Sequence, residues 1–243
     1  IFLAGEAPGL FYGYVTQGIV QKEDITENGI KYIKQDGSVG YYQTVNKTTP
    51  VAGDVKYVDR NGDGVVDDND RDIIGNPNPD FTYGFQTKVS WKSLSLSASF
   101  NGVQGRDILN VGNRYNNTPG TKSNNVTRKA FQNMWTDENP SNLYPKSTFV
   151  VQNMVMDRYV EDGSYLRCSD ITLSYVLPAK WTNKIGIKNT SVYASVKNAF
   201  VITDYSGYDP EVNSFAFDGL RPGVDMNSYP TPRSFVFGLN LTF

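Results

Sequence analysis

Residues 81–100 read FTYGFQTKVSWKSLSLSASF, and apolar and polar side chains alternate along almost the whole stretch. Successive side chains of a β-strand point to opposite faces of the sheet. This period of two therefore predicts two amphipathic strands, 81–91 and 94–100, joined by a tight turn at Lys92-Ser93. The resulting hairpin is expected to have one apolar face and one face of hydroxyl, amide and lysine side chains.

Three later segments repeat this alternation, and no long segment has a helical period. They are residues 170–177, 192–200 and 234–243, of which the second is the weakest. In the last segment the apolar face consists of Phe235, Phe237, Leu239, Leu241 and Phe243. The sequence therefore predicts an all-β, antiparallel fold.

The connections between these five strands alternate between short and long. The first and third connections are short, whereas long segments precede the first strand and separate the second from the third and the fourth from the fifth. Compact soluble domains rarely contain such long loops, and long loops at one end of a sheet are typical of outer-membrane β-barrels. A soluble antiparallel sandwich also alternates, so that interpretation stays open.

Five strands are too few to close a barrel, because the smallest single-chain barrels have about 8. We therefore expect the chain either to be part of a larger barrel or to pair with strands of another chain. The first residue is Ile rather than Met, which also suggests a piece of a longer protein. No stretch is long and apolar enough for a membrane-spanning helix, which needs about 18 apolar residues.

Composition excludes several functional classes. Lys and Arg total 23 against 25 Asp and Glu, which gives a net charge of −2. The chain therefore lacks the excess of basic residues that would predict nucleic-acid binding. The chain has no His and a single Cys, which excludes His-based catalytic triads and Cys- or His-ligated metal sites. Asp209 and Glu211 could suggest a glycosidase pair, but acid pairs are common in loops. We expect no enzyme activity and predict no catalytic residues.

One acidic segment, residues 59–70, has the spacing of a calcium-binding loop. Ca²⁺ prefers six to eight oxygen ligands, and alternate residues of a tightly wound loop can point at one centre. Gly64 stands where such a loop turns sharply. The predicted ligands are the side chains of Asp59, Asn61, Asp63, Asp67 and Asp70 and the carbonyl oxygen of Val65.

The predicted Ca²⁺ has a structural role, bracing the loop without taking part in chemistry. Asp70 is one methylene shorter than the Glu usual at the last ligand position, which weakens bidentate closure. No amphipathic helices flank the segment, so it is not an EF-hand domain. The alternative interpretation is an acidic, glycine-rich surface turn without metal.

Several motifs, taken together and in order, resemble the C-terminal end of SusC/RagA-family TonB-dependent outer-membrane transporters. The resemblance covers nearly the whole chain. The motifs are GDVKYVDRNGDG (53–64), DRDIIGNPNPDFTYG (70–84), FNGVQG (100–105), GSYLR (163–167), NAF (198–200), GYDPE (207–211) and YPTPR (229–233).

The resemblance implies the terminal strands of a transmembrane β-barrel of about 22 strands, with a periplasmic C-terminus and long extracellular loops. Residues 1–79 would form an extracellular loop region containing the calcium-type loop, and residues 80–243 barrel strands and loops. Implied partners are the rest of the barrel and its plug domain, a SusD-like surface lipoprotein, TonB through a missing N-terminal part, and outer-membrane lipid.

The resemblance also implies import of an oligosaccharide or peptide across the bacterial outer membrane, through loop residues that the sequence does not identify. A hypothesis from a different class stays open beside it. The same alternation and acidic loop are compatible with a soluble, calcium-stabilised β-sandwich that serves as an adhesin or a carbohydrate-binding module. The two hypotheses differ in where the apolar strand faces lie, since a sandwich buries them between two layers.

Overall fold

The computed structural model describes residues 3–118, 125–147, 154–182, 187 and 189–242. The all-β prediction is confirmed, since the helices in the described residues are short and few. None of those helices has the length and apolar character needed to cross a membrane. Phe243, the predicted last residue of the final strand, lies outside the described residues.

Strands and helices of the described residues are numbered in chain order. The strands are β1 (Phe11–Gly13), β2 (Thr16–Ile19), β3 (Ile25–Thr26), β4 (Gly29–Ile33), β5 (Val39–Tyr42), β6 (Thr44–Val45), β7 (Val55–Tyr57), β8 (Val65–Val66), β9 (Asp72–Gly75), β10 (Phe81–Trp91), β11 (Leu94–Gln104), β12 (Asp107–Asn110), β13 (Val160–Asp162), β14 (Tyr165–Val176), β15 (Asn189–Thr203), β16 (Val224–Asp225) and β17 (Ser234–Thr242). The helices are α1 (Val111–Asn116), α2 (Arg128–Asn133) and α3 (Ala179–Thr182), and 3₁₀ turns cover Lys22–Asp24, Asp68–Asp70 and Asp157–Tyr159.

The chain divides into two compact units, each built from discontinuous segments. One consists of Ile1–Asn78, Asp107–Glu161 and Asn213–Ser228 and is called the small-sheet unit. The other consists of Pro79–Arg106, Asp162–Val212 and Tyr229–Phe243 and is called the large-sheet unit. The predicted domain division between residues 79 and 80 stays a prediction. In the structure, two long insertions from the later part of the chain are grouped with the first 78 residues.

The large-sheet unit contains one antiparallel sheet in which the five strands follow one another in chain order, β10-β11-β14-β15-β17. These are the five strands predicted from the alternation. Residues directly opposite each other across the sheet share a face. One such row consists of Val89, Leu96, Leu173, Ala194 and Phe237, and the row beside it of Lys88, Ser97, Thr172, Ser195 and Val236.

The apolar face of this sheet is exposed rather than covered by a second layer. Phe85 is 52% exposed, Trp91 68% and Phe237 79%. Smaller members of the same face, among them Val89, Leu96, Leu173 and Leu239, are also exposed. Soluble proteins rarely leave so large a continuous apolar surface uncovered. The exposure is incompatible with burial of this face in a self-contained sandwich.

A β-bulge in β14 changes which residues share a face. The register shifts between Cys168 and Asp170, so Ser169 has no partner of its own on β15. Strict alternation places Cys168 on the same face as Asp170. In the structure Cys168 instead lies opposite Phe100 and Phe200 and is fully buried. Alternation therefore gives the wrong face for Cys168, because the bulge adds one residue to the strand.

In the part that the structure describes, the small-sheet unit consists of five short sheets around one apolar core. In β4 and β5 the alternate residues Ile30, Tyr32 and Tyr42 are buried. Gly40 lies under the Tyr32 ring, where a β-carbon would come within 2.4 Å of the ring. The core therefore depends on large tyrosines packed against small partners, and Tyr32 extends from it toward the acidic loop.

Candidate functional site

The predicted calcium loop is closed by Asp59, its first predicted ligand. The two carboxylate oxygens of Asp59 accept hydrogen bonds from the backbone N–H groups of Gly62 at 2.6 Å and Gly64 at 2.8 Å. Both glycines have positive φ, 78° and 85°, in the left-handed region that favours glycine. The Tyr32 hydroxyl donates to the Asp59 carbonyl oxygen at 2.7 Å and joins the loop to the core.

Asp70, at the other end of the loop, is completely buried. Its Oδ1 accepts from the Arg60 N–H at 2.8 Å, and its Oδ2 accepts from the Asp67 N–H at 2.8 Å. A carboxylate with this many donors is satisfied without a metal ion. Asp70 therefore closes the loop by capping backbone amides.

The remaining predicted ligands form local turns. Asn61 Oδ1 accepts from the Asp63 N–H, Asp63 Oδ1 from the Val65 N–H, and Asp67 Oδ1 from the Asn69 N–H, each at 2.8 Å. Within the described residues, no three Asp, Glu, Cys or His side chains are placed to hold one metal ion. The structure thus provides a loop braced by hydrogen bonds, and the calcium site stays a prediction.

Negative charge is nevertheless concentrated in this loop. Burial raises the pKa of the Asp59 carboxyl, and the nearby carboxylates of Asp70 and Asp63 raise it further. The amides of Gly64 and Gly62 act in the opposite direction. A cation near Asp59 would relieve this repulsion.

A second polar cluster lies in the large-sheet unit and was not predicted from the sequence. Arg167 of β14 pairs with Asp209, with 2.5 Å between Nη2 and Oδ1. Its Nε is 3.1 Å from Glu211 Oε2, too poorly aligned to count as a hydrogen bond. Glu211 Oε1 accepts from the Tyr165 hydroxyl at 2.7 Å and from Asn101 Nδ2 at 2.9 Å. We call these five residues the Arg167 cluster.

Asp209 also fixes the backbone of the long connection between β15 and β17. Its Oδ1 accepts from the Glu211 N–H at 2.9 Å, and its Oδ2 from the Thr231 N–H at 3.0 Å. Burial alone would raise the pKa of Asp209, but these amides and the Arg167 charge outweigh it and hold the pKa below its ordinary value. One carboxylate therefore holds both ends of the connection against β14.

Arg106, just after β11, supports the same connection. Its guanidinium donates to the Pro210 carbonyl oxygen and lies 5.8 Å from the centre of the Tyr165 ring. Burial lowers the pKa of this guanidinium. The Asp209–Glu211 segment is thus held by two arginines, and both acids are engaged in structural contacts. This arrangement gives no support to a glycosidase pair, and the expectation that neither acid is catalytic stays a prediction.

The polar face of the large sheet carries a network centred on Asp170. Lys197 Nζ is 2.6 Å from Asp170 Oδ2, which also accepts from the Ser195 hydroxyl at 2.7 Å. The Thr172 hydroxyl donates to Oδ1 at 2.8 Å. These contacts cross from β14 to β15 on the side opposite the exposed aromatic residues. One side of the sheet is thus polar and hydrogen-bonded, and the other is apolar and exposed.

Comparisons with known proteins agree with this geometry, although no family model matches the chain. It is 33% identical to TonB-dependent receptor P3 of Formosa agariphila over 248 residues, which is 100% of the chain and 23% of that protein. It is 35% identical to TonB-dependent receptor P26 of the same organism, over 79% of the chain and 20% of the relative. TonB-dependent receptor SusC of Bacteroides thetaiotaomicron is 34% identical over 77% of the chain and 17% of its own length.

The chain belongs to the SusC-like TonB-dependent transporters.

Solved structures support the same assignment of this SusC-like chain. The RagAB peptide importer in its open-open state matches 97% of the chain at 26% identity with a TM-score of 0.65. A second structure of the RagAB peptide transporter gives a TM-score of 0.66 at 25% identity. The chain spans only about a sixth to a quarter of these proteins and of the curated relatives. The family is one of outer-membrane transporters and not of enzymes.

The SusC-like motifs explain why sequence reasoning missed the Arg167 cluster. Its members lie in GSYLR (163–167), FNGVQG (100–105) and GYDPE (207–211), motifs recognised for the resemblance alone. Nothing in their spacing indicates that they contact one another, because Arg167 and Asp209 are 42 positions apart. The sequence signal that could have indicated this cluster was a charged residue, Arg167, near the end of an alternating strand.

Proposed function

We propose that this chain forms part of the barrel wall and the extracellular loops of a TonB-dependent importer of oligosaccharides or peptides. The observation that carries the proposal is the exposed apolar face of the large sheet. In an aqueous protein this face would drive aggregation. In a bilayer it contacts hydrocarbon, while the opposite, hydrogen-bonded polar face lines a water-filled interior.

The edges of the large sheet support its place in a larger barrel. Among the described strands, β10 and β17 each pair on one side only. Unpaired backbone groups in hydrocarbon cost several kcal/mol each, so an open sheet edge is not stable there. We infer that β10 and β17 pair with further strands of the same transporter, which would also contribute the plug domain and the TonB-contacting segment.

The connections support one orientation of the strands. β10 and β11 are joined by two residues, and β14 and β15 by a short segment, at the same end of the sheet. The long connections leave the other end, where the Arg167 cluster also lies. Outer-membrane barrels have short periplasmic turns and long external loops. The C-terminus would therefore be periplasmic and the long segments extracellular, where a SusD-like lipoprotein would contact them.

Uptake by cells that carry the full-length gene tests the proposal. Labelled oligosaccharides and peptides are supplied to cells with the gene intact, with the gene deleted, and with TonB or the neighbouring lipoprotein gene removed. We expect uptake of at least one class that depends on the gene and on TonB, and that falls when the lipoprotein is absent. A full-length protein that fractionates with soluble proteins and stays folded without detergent would contradict the proposal.

A further inference from the structure

A small cavity in the small-sheet unit has the features of an anion-binding site. It has a volume of about 100 Å³ and is lined by Asn113, Asn117, Leu143, Tyr144, Arg158 and Tyr159. A water molecule occupies about 30 Å³, so the space accommodates a small charged group and part of its carrier. Among the described residues, the lining contains one cationic side chain and no acidic one.

Arg158 is the residue that lacks a counter-charge. It makes no ion pair within the part of the chain that the structure describes. Its Nη2 donates to the Leu143 carbonyl oxygen, but its Nη1 is buried without any hydrogen-bond partner. A buried donor of a charged group that has no partner is energetically unfavourable. A bound anion would remove that cost.

The acidic residues nearest to Arg158 in sequence are engaged elsewhere. Asp157 accepts from the N–H of Thr16 at 3.1 Å and from its hydroxyl at 2.6 Å. Glu161 accepts from Asn110 and Asn113 at 3.0 and 2.8 Å. Both carboxylates are hydrogen-bonded to other residues, and neither forms an ion pair with Arg158 among the described residues.

The wall around Arg158 is built from fixed elements. Arg158 lies in the 3₁₀ turn Asp157–Tyr159, and its guanidinium is 5.7 Å from the centre of the Tyr159 ring. Tyr144 and Tyr159 are 9% and 8% exposed. Asn117 follows α1, and its Oδ1 accepts from the Thr127 hydroxyl at 2.8 Å. That bond orients the side chain through its oxygen, which leaves the Nδ2 group as a donor.

We propose that this cavity binds a carboxylate group of the transported substrate, with Arg158 and Asn117 as donors. A guanidinium matches a carboxylate in shape and balances its single charge, whereas a phosphate carries a second charge that no lining residue neutralises. The rings of Tyr144 and Tyr159 provide apolar surface for the part of the substrate that bears the carboxylate. The carboxylate can be a peptide C-terminus or a uronic acid. Its identity as cargo rests on the proposed import function, while binding itself is independent of import.

Calorimetric titration of the purified full-length transporter in detergent tests the site. The probes are two matched pairs, trialanine against trialanine amide, and methyl glucuronide against methyl glucoside. We expect the carboxylate member of at least one pair to bind about 10- to 100-fold more tightly, the range for a hydrogen bond to a charged group. The pair that discriminates identifies the source of the carboxylate.

Three variants test whether the preference for the carboxylate probe comes from this cavity. Arg158→Gln should abolish it, and Arg128→Gln, an exposed arginine in the same unit, should leave it unchanged. Asn117→Ala keeps the guanidinium and should reduce the preference about three- to tenfold, as expected for a neutral hydrogen bond. Asn117→Ala also provides the test should Arg158→Gln fail to fold. Thermal unfolding of each variant separates loss of binding from loss of structure.

Two results overturn the site: no carboxylate preference in the wild-type transporter, or a preference that survives both Arg158→Gln and Asn117→Ala. Uptake of the same probes by intact cells is measured separately. Gene-dependent uptake without a carboxylate preference overturns the site and leaves the import function standing. Carboxylate binding without uptake of any probe counts against the import function and supports the site.

Discussion

Arg167 and Asp209 form an ion pair in which both side chains are buried, 6% and 4% exposed, with 2.5 Å between Nη2 and Oδ1. The pair joins β14 to a connection 42 positions further along the chain. Because Asp209 also accepts from the Glu211 and Thr231 amides, it binds the two ends of that connection to one strand. We infer that this carboxylate is the main attachment of the connection between β15 and β17.

Replacing Asp209 with Ala should detach this connection. Removing one partner of a buried ion pair typically costs about 3–5 kcal/mol, because the remaining charge is left buried and unpaired. We expect a lower midpoint of thermal unfolding in the full-length transporter and faster proteolysis within residues 204–233. Asp218→Ala is the matched control, since Asp218 lies in the same connection and pairs with Arg221, whose side chain is exposed. Exposed pairs contribute about 0–1 kcal/mol, so equal effects of the two variants would contradict the assignment.

The same attachment should depend on pH in a defined direction. The pKa of Asp209 lies below its ordinary value of about 3.9. A carboxylate with a lowered pKa in the folded state contributes stability that is present above the ordinary value and is lost as the pH falls through the folded value. We expect proteolysis within residues 204–233 to be constant from pH 7 to about pH 4 and to rise only below that. In Asp209→Asn this acid-dependent rise should be absent, whereas a rise already present near pH 6 would show that another group controls the attachment.

The large sheet shows which features alternation can predict. Strand 81–91 has the predicted bounds, and the apolar rows match because the side-chain period of a strand is fixed by its backbone. β11 extends four residues beyond the predicted Phe100, and β14 begins at Tyr165 instead of residue 170. The alternation there is obscured by the bulge at Ser169. A bulge adds one residue without leaving a mark in composition, so its position could not be predicted.

Contacts between residues far apart in the sequence could not be predicted either. The pairing of Arg167 with Asp209 and the cavity around Arg158 both depend on how distant segments meet. For the acidic loop the spacing correctly indicated a tight turn, with Gly64 at positive φ. It did not indicate that Asp59 and Asp70 would use their oxygens on backbone amides. Residue spacing indicates which oxygen atoms can lie close together, but not whether those oxygens bind a metal ion or accept hydrogen bonds from backbone amides.

A charge on the exposed apolar face of the large sheet should be costly in a membrane. Leu239 lies on that face opposite Val192, and Asn240 lies on the other face, where its amide is 3.4 Å from the Ser191 hydroxyl. Leu239→Arg should destabilise the full-length transporter by about 2–4 kcal/mol if the residue lies near the bilayer midplane. Asn240→Arg should be tolerated. Denaturant unfolding in lipid vesicles measures both, and similar losses would contradict the proposed placement in lipid.

Two glycines of the large sheet should respond differently to a methyl group. A β-carbon on Gly238 would come within 2.2 Å of the Tyr193 ring on the neighbouring strand, whereas one on Gly84 would meet only the Phe100 carbonyl oxygen at 3.4 Å. Gly238→Ala should cost about 1–3 kcal/mol through overpacking. Gly84→Ala should be neutral or slightly stabilising, because glycine within a strand costs about 0.5–1 kcal/mol relative to alanine. Heat-modifiability on gels and unfolding midpoints compare the two, and the reverse order would show that Tyr193 is free to move.

The predicted calcium loop is tested by titrating the full-length transporter with Ca²⁺. Extracellular calcium modules bind with dissociation constants of about 10⁻⁴–10⁻³ M, so we expect a small rise in unfolding temperature at millimolar Ca²⁺ that a chelator reverses. Asp63→Ala, which removes an exposed predicted ligand without touching the caps made by Asp59 and Asp70, should abolish this rise. Asp137→Ala, which removes an exposed acid paired with Lys22, should leave it unchanged. An unfolding temperature that does not respond to Ca²⁺ in the wild type would mean that the hydrogen bonds of the loop suffice without a metal ion.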